Sequence, residues 1–285
     1  MESKLHPGTC LGYVHLTVSD LDRSCVFYQN SMGFKLHRRD NGTAFLGAGR
    51  DDLLVLSEQP GAVKVPRRTG LYHFAILTPS RQELARVLRN FVQSQTRVSG
   101  VADHLVSEAI YLDDPDGNGI EIYCDRPRQE WPYEPDGSLR MASDPLDLEG
   151  ILAEIDQDTD QWQGLDPDTI LGHMHLHVAN LPESVEFYEN VVGFETQIIW
   201  NRAAGFLSAG GYHHHLGINI WNGIGVPPPP PDSVGLRYFT VHLIGDEERQ
   251  ALLSRLESAG HPYEENQDGI LIRDPSQSAL LFKIT

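Results

Sequence analysis

Gly12-Tyr13-Val14-His15-Leu16-Thr17-Val18 returns 160 positions later as Gly172-His173-Met174-His175-Leu176-His177-Val178. Phe27-Tyr28 followed by Gly33-Phe34 returns at the same offset as Phe187-Tyr188 followed by Gly193-Phe194, and Asp114-Pro115 returns as Asp274-Pro275. Gly70-Leu71-Tyr72-His73-Phe74 likewise corresponds to Gly235-Leu236-Arg237-Tyr238-Phe239. A chain of two homologous halves must build its fold from copies of one supersecondary unit, which removes most architectures from consideration.

Each half divides again. Residues 12–18 read as a β-branched strand, Leu21 to Asn30 as a helix opened by Ser19-Asp20, and the stretch to Leu56 as strands punctuated by Gly42, Gly47 and Gly49. Residues 70–77 restart the pattern, Arg81 to Ser94 carry helical spacing, and Ala109–Leu112 and Gly119–Tyr123 read as strands around an Asp-Pro-Asp-Gly-Asn-Gly turn. The expected fold is α+β, with four βαβββ units at 8–60, 68–127, 169–224 and 233–285. The halves are then 8–127 and 169–285, joined by a linker over 128–168 in which Leu146, Leu148, Ile151, Leu152 and Ile155 predict a short helix. The run Pro227 to Pro231 cannot join a strand ladder and reads as a rigid connection between the third and fourth units.

The 285 residues suffice for two cores, and 40% apolar residues are ordinary for a globular protein. With 22 Lys and Arg against 40 Asp and Glu, the net charge of −18 repels phosphate backbones and anionic lipid, so neither nucleic acid nor membrane is an expected partner. The three cysteines, Cys10, Cys25 and Cys124, form no CxxC pair. That pattern speaks against a disulfide framework or a thiolate cluster and suits a reducing cytoplasm. Met1 to Pro7 lacks an apolar leader core, and no stretch approaches the ~18–20 apolar residues of a membrane span.

The duplicated βαβββ pattern, with Phe-Tyr then Gly-Phe after the helix and Asp114-Pro115-Asp116-Gly117-Asn118-Gly119-Ile120-Glu121 before a last strand, resembles the vicinal oxygen chelate superfamily of glyoxalases and extradiol dioxygenases. Gly70 to Leu77, Asp103 to Leu112 and Gly210-Gly211-Tyr212-His213-His214-His215-Leu216-Gly217 are similar to the bacterial catechol-2,3-dioxygenases of the bacillus type. The resemblance implies paired units curling into two open barrels, with a divalent metal in a cup.

It also implies where ligands lie: histidines in the first strand of a unit, a carboxylate in a last strand. Those positions are Tyr13, His73, His173 and Tyr238, with Glu121 in unit two and Leu281 in unit four. Units two and three alone complete a 2-His-1-carboxylate set, His73, Glu121 and His173, so the expected pairing is unit two with three and unit one with four. Such a set leaves coordination positions open for substrate and dioxygen; it suits Fe(II) but also Mn, Ni or Zn. Tyr13 and Tyr238 would occupy vacated ligand positions in the other barrel, where His15 and His242 read as structural.

By the same resemblance His214 is the expected acid-base residue, although the register of His213-His214-His215 could slip by one in a strand. Tyr111, ten residues before Glu121, is a candidate to hydrogen-bond a catecholate oxygen, and His104 could orient dioxygen or substrate. His104 stands about two residues from the family placement. His175 and His177 either support the ligand His173 or line the cup wall.

The implied function is an extradiol ring-cleaving dioxygenase that acts on catechol or a substituted catechol with Fe(II) and dioxygen, giving a 2-hydroxymuconic semialdehyde. Its partners would be a small aromatic diol and dioxygen, and a homo-oligomer is compatible. The alternatives are a glyoxalase-type metal-dependent lyase, isomerase or thiol transferase, and an aromatic-ligand binding protein. Asn219, where a lyase needs a second carboxylate as base, leans against the redox-neutral enzymes.

Overall fold

A computed structural model describes residues 4–156 and 162–285. The first unit runs β1 (Cys10–Val18), α1 (Leu21–Asn30), β2 (Lys35–Asp40), β3 (Thr43–Gly47) and β4 (Asp52–Glu58). The second runs β5 (Gly70–Leu77), α2 (Arg81–Gln93), β6 (Gly100–Asp103), β7 (Ser107–Asp113) and β8 (Gly119–Asp125). After α3 (Leu148–Leu152) come β9 (Ile170–His177), α4 (Leu181–Glu186, continued as a π-helical turn Phe187–Val192), β10 (Glu195–Trp200), β11 (Ala204–Ser208) and β12 (Leu216–Asn219). The fourth unit holds β13 (Gly235–Leu243), α5 (Gly245–Ser258), β14 (Tyr263–Asn266), β15 (Gly269–Arg273) and β16 (Ala279–Ile284).

Local chemistry starts and stops the helices where the sequence puts its signals. Asp20, Ser80 and Asn180 each accept a hydrogen bond from the backbone N–H three residues on, capping α1, α2 and α4. The π turn after α4 ends at Gly193 in the left-handed region (φ 101°), and Gly33 (φ 80°) follows α1 in the same way. This is the physical content of the repeated Gly-Phe pair, because a side chain is strained in that conformation. In α2 the buried Leu84, Val87, Leu88 and Phe91 recur at helical spacing, each worth about 1.5–3 kcal/mol if fully withdrawn from water.

The strands form two eight-stranded sheets, β14-β15-β16-β13-β1-β4-β3-β2 and β10-β11-β12-β9-β5-β8-β7-β6. Units one and four therefore share one sheet and units two and three the other, the pairing that ligand placement requires. By internal packing the described residues group into two compact units, one of residues up to 17, 63–72 and 172–285, the other of 18–62 and 73–171. Inside each, the duplicated Phe-Tyr and Asp-Pro motifs meet. The Tyr28 hydroxyl donates to Asp114 at 2.9 Å, and the Tyr188 hydroxyl donates to Asp274 at 2.8 Å. Asp114 Oδ1 also accepts from the backbone N–H of Asp116 and Asn118, and Asp274 Oδ1 from Ser276 and Ser278. The repeated aspartates thus hold a turn before each last strand while anchoring a tyrosine from the neighbouring unit's helix.

Two local expectations need correction. The helix of the 128–168 linker covers only Leu148–Leu152, shorter than its apolar stripe, because Leu146 and Ile155 are buried outside the helix. Arg81 of α2 fastens this segment, donating to the Gly150 carbonyl at 3.0 Å and pairing with Glu154 at 2.7 Å. Second, His213, His214 and His215 do not lie in a strand; they precede β12.

Candidate metal centre

The parallel pairing of β5 with β8 sets His73 against Gly119 and Ala75 against Glu121, and the antiparallel pairing of β7 with β8 sets Tyr111 against Glu121. Alternation places His73, Ala75 and Leu77 on one strand face, opposite the fully buried Phe74 and Ile76. Ala75, Ala109 and Tyr123 form a buried cluster there, with Leu77 and Tyr111 packed against it. On this floor His73 Nε2 lies 3.0 Å from Glu121 Oε2, both side chains under a tenth exposed.

Beside them the Tyr111 hydroxyl lies 2.6 Å from His104 Nε2, while His104 Nδ1 lies 2.7 Å from the Ala142 carbonyl. A carbonyl only accepts, so Nδ1 carries the imidazole proton, and in neutral His104 Nε2 accepts from Tyr111. The tyrosine hydroxyl proton is thereby engaged by His104. Ala142 comes from the linker, and nothing in the sequence signals that contact.

His173 on β9 is 1% exposed. The ring of His214 sits 4.1 Å from it and that of His213 6.2 Å, with His213 Nδ1 2.7 Å from His214 Nδ1. One of those two nitrogens must donate and the other accept, so the pair shares a proton. Backbone bonds from Met174 N–H to the His215 carbonyl (3.0 Å) and from His215 N–H to the Leu207 carbonyl (2.9 Å) pin the segment. These bonds, rather than strand alternation, decide which ring goes where.

His215 turns elsewhere, against Tyr212, and its Nδ1 accepts from Ala209 N–H at 3.2 Å. Burial lowers its pKa to about 3, with His213 and His173 adding to the effect, so the ring is neutral. His175 contacts Phe206, Tyr72 and Trp221, and His177 Nδ1 lies 2.7 Å from Asn219 Oδ1. Tyr72 and Trp221 were not foreseen, since no local pattern links residues so far apart in sequence.

In the sheet of units one and four, Tyr13 and Tyr238 meet hydroxyl to hydroxyl at 3.2 Å, and Leu281 is buried. Burial, reinforced by Arg237, lowers the pKa of His15 to about 4, so it is a neutral ring packed edge-on to Tyr238. Among the described residues, one group of three His, Cys, Asp or Glu side chains brings its ligand atoms within 4.8 Å of one another: His73, Glu121 and His173, all buried. Two imidazole nitrogens and a buried carboxylate make a donor set that fits a divalent transition metal, and coordination would relieve the penalty of burying the carboxylate. No helix among the described residues is long and apolar enough to cross a membrane.

Comparison with known proteins agrees with this architecture. The chain is 44% identical over 285 residues, covering 98% of each chain, to a catechol-2,3-dioxygenase of Bacillus subtilis (strain 168). Among solved structures it superposes on a putative dioxygenase from the same species with TM-score 0.64 at 13% identity, covering 100% of this chain and 86% of that one. Glyoxalase I from Zea mays follows at TM-score 0.60 and 17% identity, covering 96% of this chain and 92% of that one. Residues 10–122 and 170–276, one stretch in each half of the duplication, each match one family model, and the chain belongs to the Glyoxalase/Bleomycin resistance protein/Dioxygenase superfamily.

Proposed function

We propose that the protein is an extradiol dioxygenase that holds Fe(II) through His73, Glu121 and His173 and opens the ring of catechol or a substituted catechol. The observation that carries this reading is the proximity of those three buried ligand atoms, within 4.8 Å, in a chain 44% identical over its length to a catechol-2,3-dioxygenase. Held by His73, Glu121 and His173, Fe(II) would supply Lewis acidity and one-electron redox chemistry for a catechol and dioxygen. The same donors accept Mn, Ni or Zn.

The protein's own groups handle protons and orientation. Catechol must give up hydroxyl protons on binding, and the His213–His214 pair, sharing one proton between two Nδ1 atoms, is built to take one at a ring nitrogen and return it later. Tyr111, its hydroxyl proton engaged by His104, presents oxygen lone pairs to a catechol hydroxyl and fixes the ring's orientation. The bond between the hydroxylated carbon and its unsubstituted neighbour breaks, and both atoms of dioxygen are kept. One enters a carboxylate and one an aldehyde, giving 2-hydroxymuconic semialdehyde.

A redox-neutral lyase or transferase on the same scaffold is disfavoured by the residues of β12. β12 sets Gly217 against His175 as β8 sets Glu121 against Ala75, so unit three has a glycine where a second carboxylate would stand, and the buried Asn219 two residues on cannot act as a base either. The test is anaerobic loading with Fe(II), then addition of catechol and dioxygen. A yellow product with one dioxygen consumed per catechol is expected; metal uptake without oxygen consumption would overturn the reading in favour of redox-neutral chemistry.

A further inference from the structure

We infer that Asn219, together with Tyr72, His175, His177 and Trp221, forms a subsite that selects catechols carrying a short side chain that ends in a carbonyl, carboxamide or carboxylate oxygen. The inference rests on the proposed ring cleavage and adds the substrate class to it.

Position comes first. His173, His175 and His177 alternate along β9 with the fully buried Met174 and Leu176, so they share a face, and each two-residue step advances about 6.6 Å. Along this face exposure rises from 1% at His173 and 4% at His175 to the rim, where Trp221 is 54% and Tyr72 38% exposed. Tyr72 packs edge-on to His175 at 5.1 Å and to Trp221 at 5.2 Å, and lies 5.0 Å from His177; His175 lies 5.5 Å from Trp221. Four mutually packed rings thus cover the face between the buried His173 and solvent, and a substituent pointing away from the diol along that face meets them. Gly217, paired with His175 in the β12 to β9 ladder, carries no Cβ that would meet that imidazole.

Chemistry comes second. Asn219 Oδ1 accepts twice, from the backbone N–H of Trp221 at 3.0 Å and from His177 Nδ1 at 2.7 Å. Because a backbone N–H can only donate, the amide orientation is fixed and the NH2 end is the free one. That Nδ2, in a side chain with no exposed surface, has no hydrogen-bond partner among the described residues. A buried donor left unmatched is costly, so a site that contains one discriminates for ligands that supply an acceptor. An sp2 oxygen at the end of a one- or two-carbon side chain is such an acceptor, and the surrounding rings favour a flat group.

The experiment compares catechol, 4-ethylcatechol, (3,4-dihydroxyphenyl)acetamide and (3,4-dihydroxyphenyl)acetate. Binding is measured anaerobically by calorimetry on Zn(II)-loaded protein, and kcat/KM on the Fe(II)-loaded enzyme. Wild type should prefer the amide or the acetate over 4-ethylcatechol by about tenfold in both measurements. Asn219→Asp keeps the two accepted bonds and exchanges only the NH2 for oxygen. It should reverse the preference for the acetate, whose oxygens only accept, while the amide keeps its affinity by turning its own NH2 to the new carboxylate. Trp221→Ala, at an exposed position, should weaken all side-chain-bearing catechols relative to catechol itself.

A wild type that treats 4-ethylcatechol and the amide alike, or an Asn219→Asp variant that loses affinity for all four equally, overturns the subsite. Preferential binding without any ring opening would instead overturn the dioxygenase reading and leave the subsite standing.

Discussion

His104 holds Tyr111 by its hydroxyl: Nε2 lies 2.6 Å from the phenolic oxygen while Nδ1 is committed to the Ala142 carbonyl. The two residues therefore act as a unit, and their substitutions should not be additive. Tyr111→Phe is expected to lower kcat/KM by roughly 10²-fold with metal content unchanged, and His104→Phe by roughly tenfold. In the Tyr111→Phe background the His104 substitution should add almost nothing. Steady-state kinetics on the four proteins of this cycle check the coupling; full additivity would show that His104 does not act through Tyr111.

Metal retention separates the two sheets. His73→Ala, His173→Ala and Glu121→Ala should each reduce bound metal from about one equivalent to less than about a tenth, since each removes one of the three proposed ligands. Tyr13→Phe and Tyr238→Phe, which remove the hydroxyl contact between those residues, should keep full metal content. Elemental analysis after dialysis reads the result. Chelator treatment of wild type should abolish ring opening, and Fe(II) should restore it.

How far the sequence discloses this site depends on the range of the contacts. The grouping of His73, Glu121 and His173 was legible because duplication aligns Tyr13 with His173 and Glu121 with Leu281, so positions that carry a ligating side chain and positions that do not can be told apart without coordinates. Strand bounds near it were legible too, since β5 covers Gly70–Leu77, the stretch where the repeat restarts. The conformation of His213 to His215 was not, because backbone bonds to Leu207 and Met174 override any local pattern. The Ala142 carbonyl on His104 and the packing of Trp221 on Tyr72 join residues 38 and 149 apart, beyond the reach of periodicity.

The Tyr188 and Asp274 contact predicts a pH dependence of stability. Burial raises the Asp274 carboxyl to about 6, against hydrogen bonds from Tyr188, Ser278 and Ser276 that favour its ionised form. Unfolded, the group titrates near ~3.9. Between about pH 4 and 6 the native state binds more protons than the unfolded one, so this contribution is full below about pH 4 and is lost as pH rises through about 6. Asn keeps an acceptor for Ser276 and Ser278 and cannot ionise. The stability of wild type relative to Asp274→Asn should fall by about 2 kcal/mol across that window. Thermal unfolding at pH 4, 5, 6 and 7 measures it, and a flat difference would show that Asp274 is not the titrating group.

Gly217 offers a test of how the histidine face is held. A Cβ built there would stand 2.8 Å from Cγ, 2.9 Å from Nδ1 and 3.0 Å from Cδ2 of His175. Three atoms of one rigid ring are met at once, so no single torsion relieves the clash and the whole imidazole must move. It cannot move alone, because it packs against Phe206, Tyr72 and Trp221. Gly217→Ala should therefore destabilise the fold by about 1–3 kcal/mol, as overpacking does, and disturb the rim rings while leaving metal content intact. Kinetically the loss should be greater for 4-ethylcatechol than for catechol, whose ring carries nothing to meet those residues. Melting temperature, metal content and the ratio of the two kcat/KM values are read on the same preparation. An equal loss for both substrates would place the effect of His175 at the diol instead of at the ring substituent.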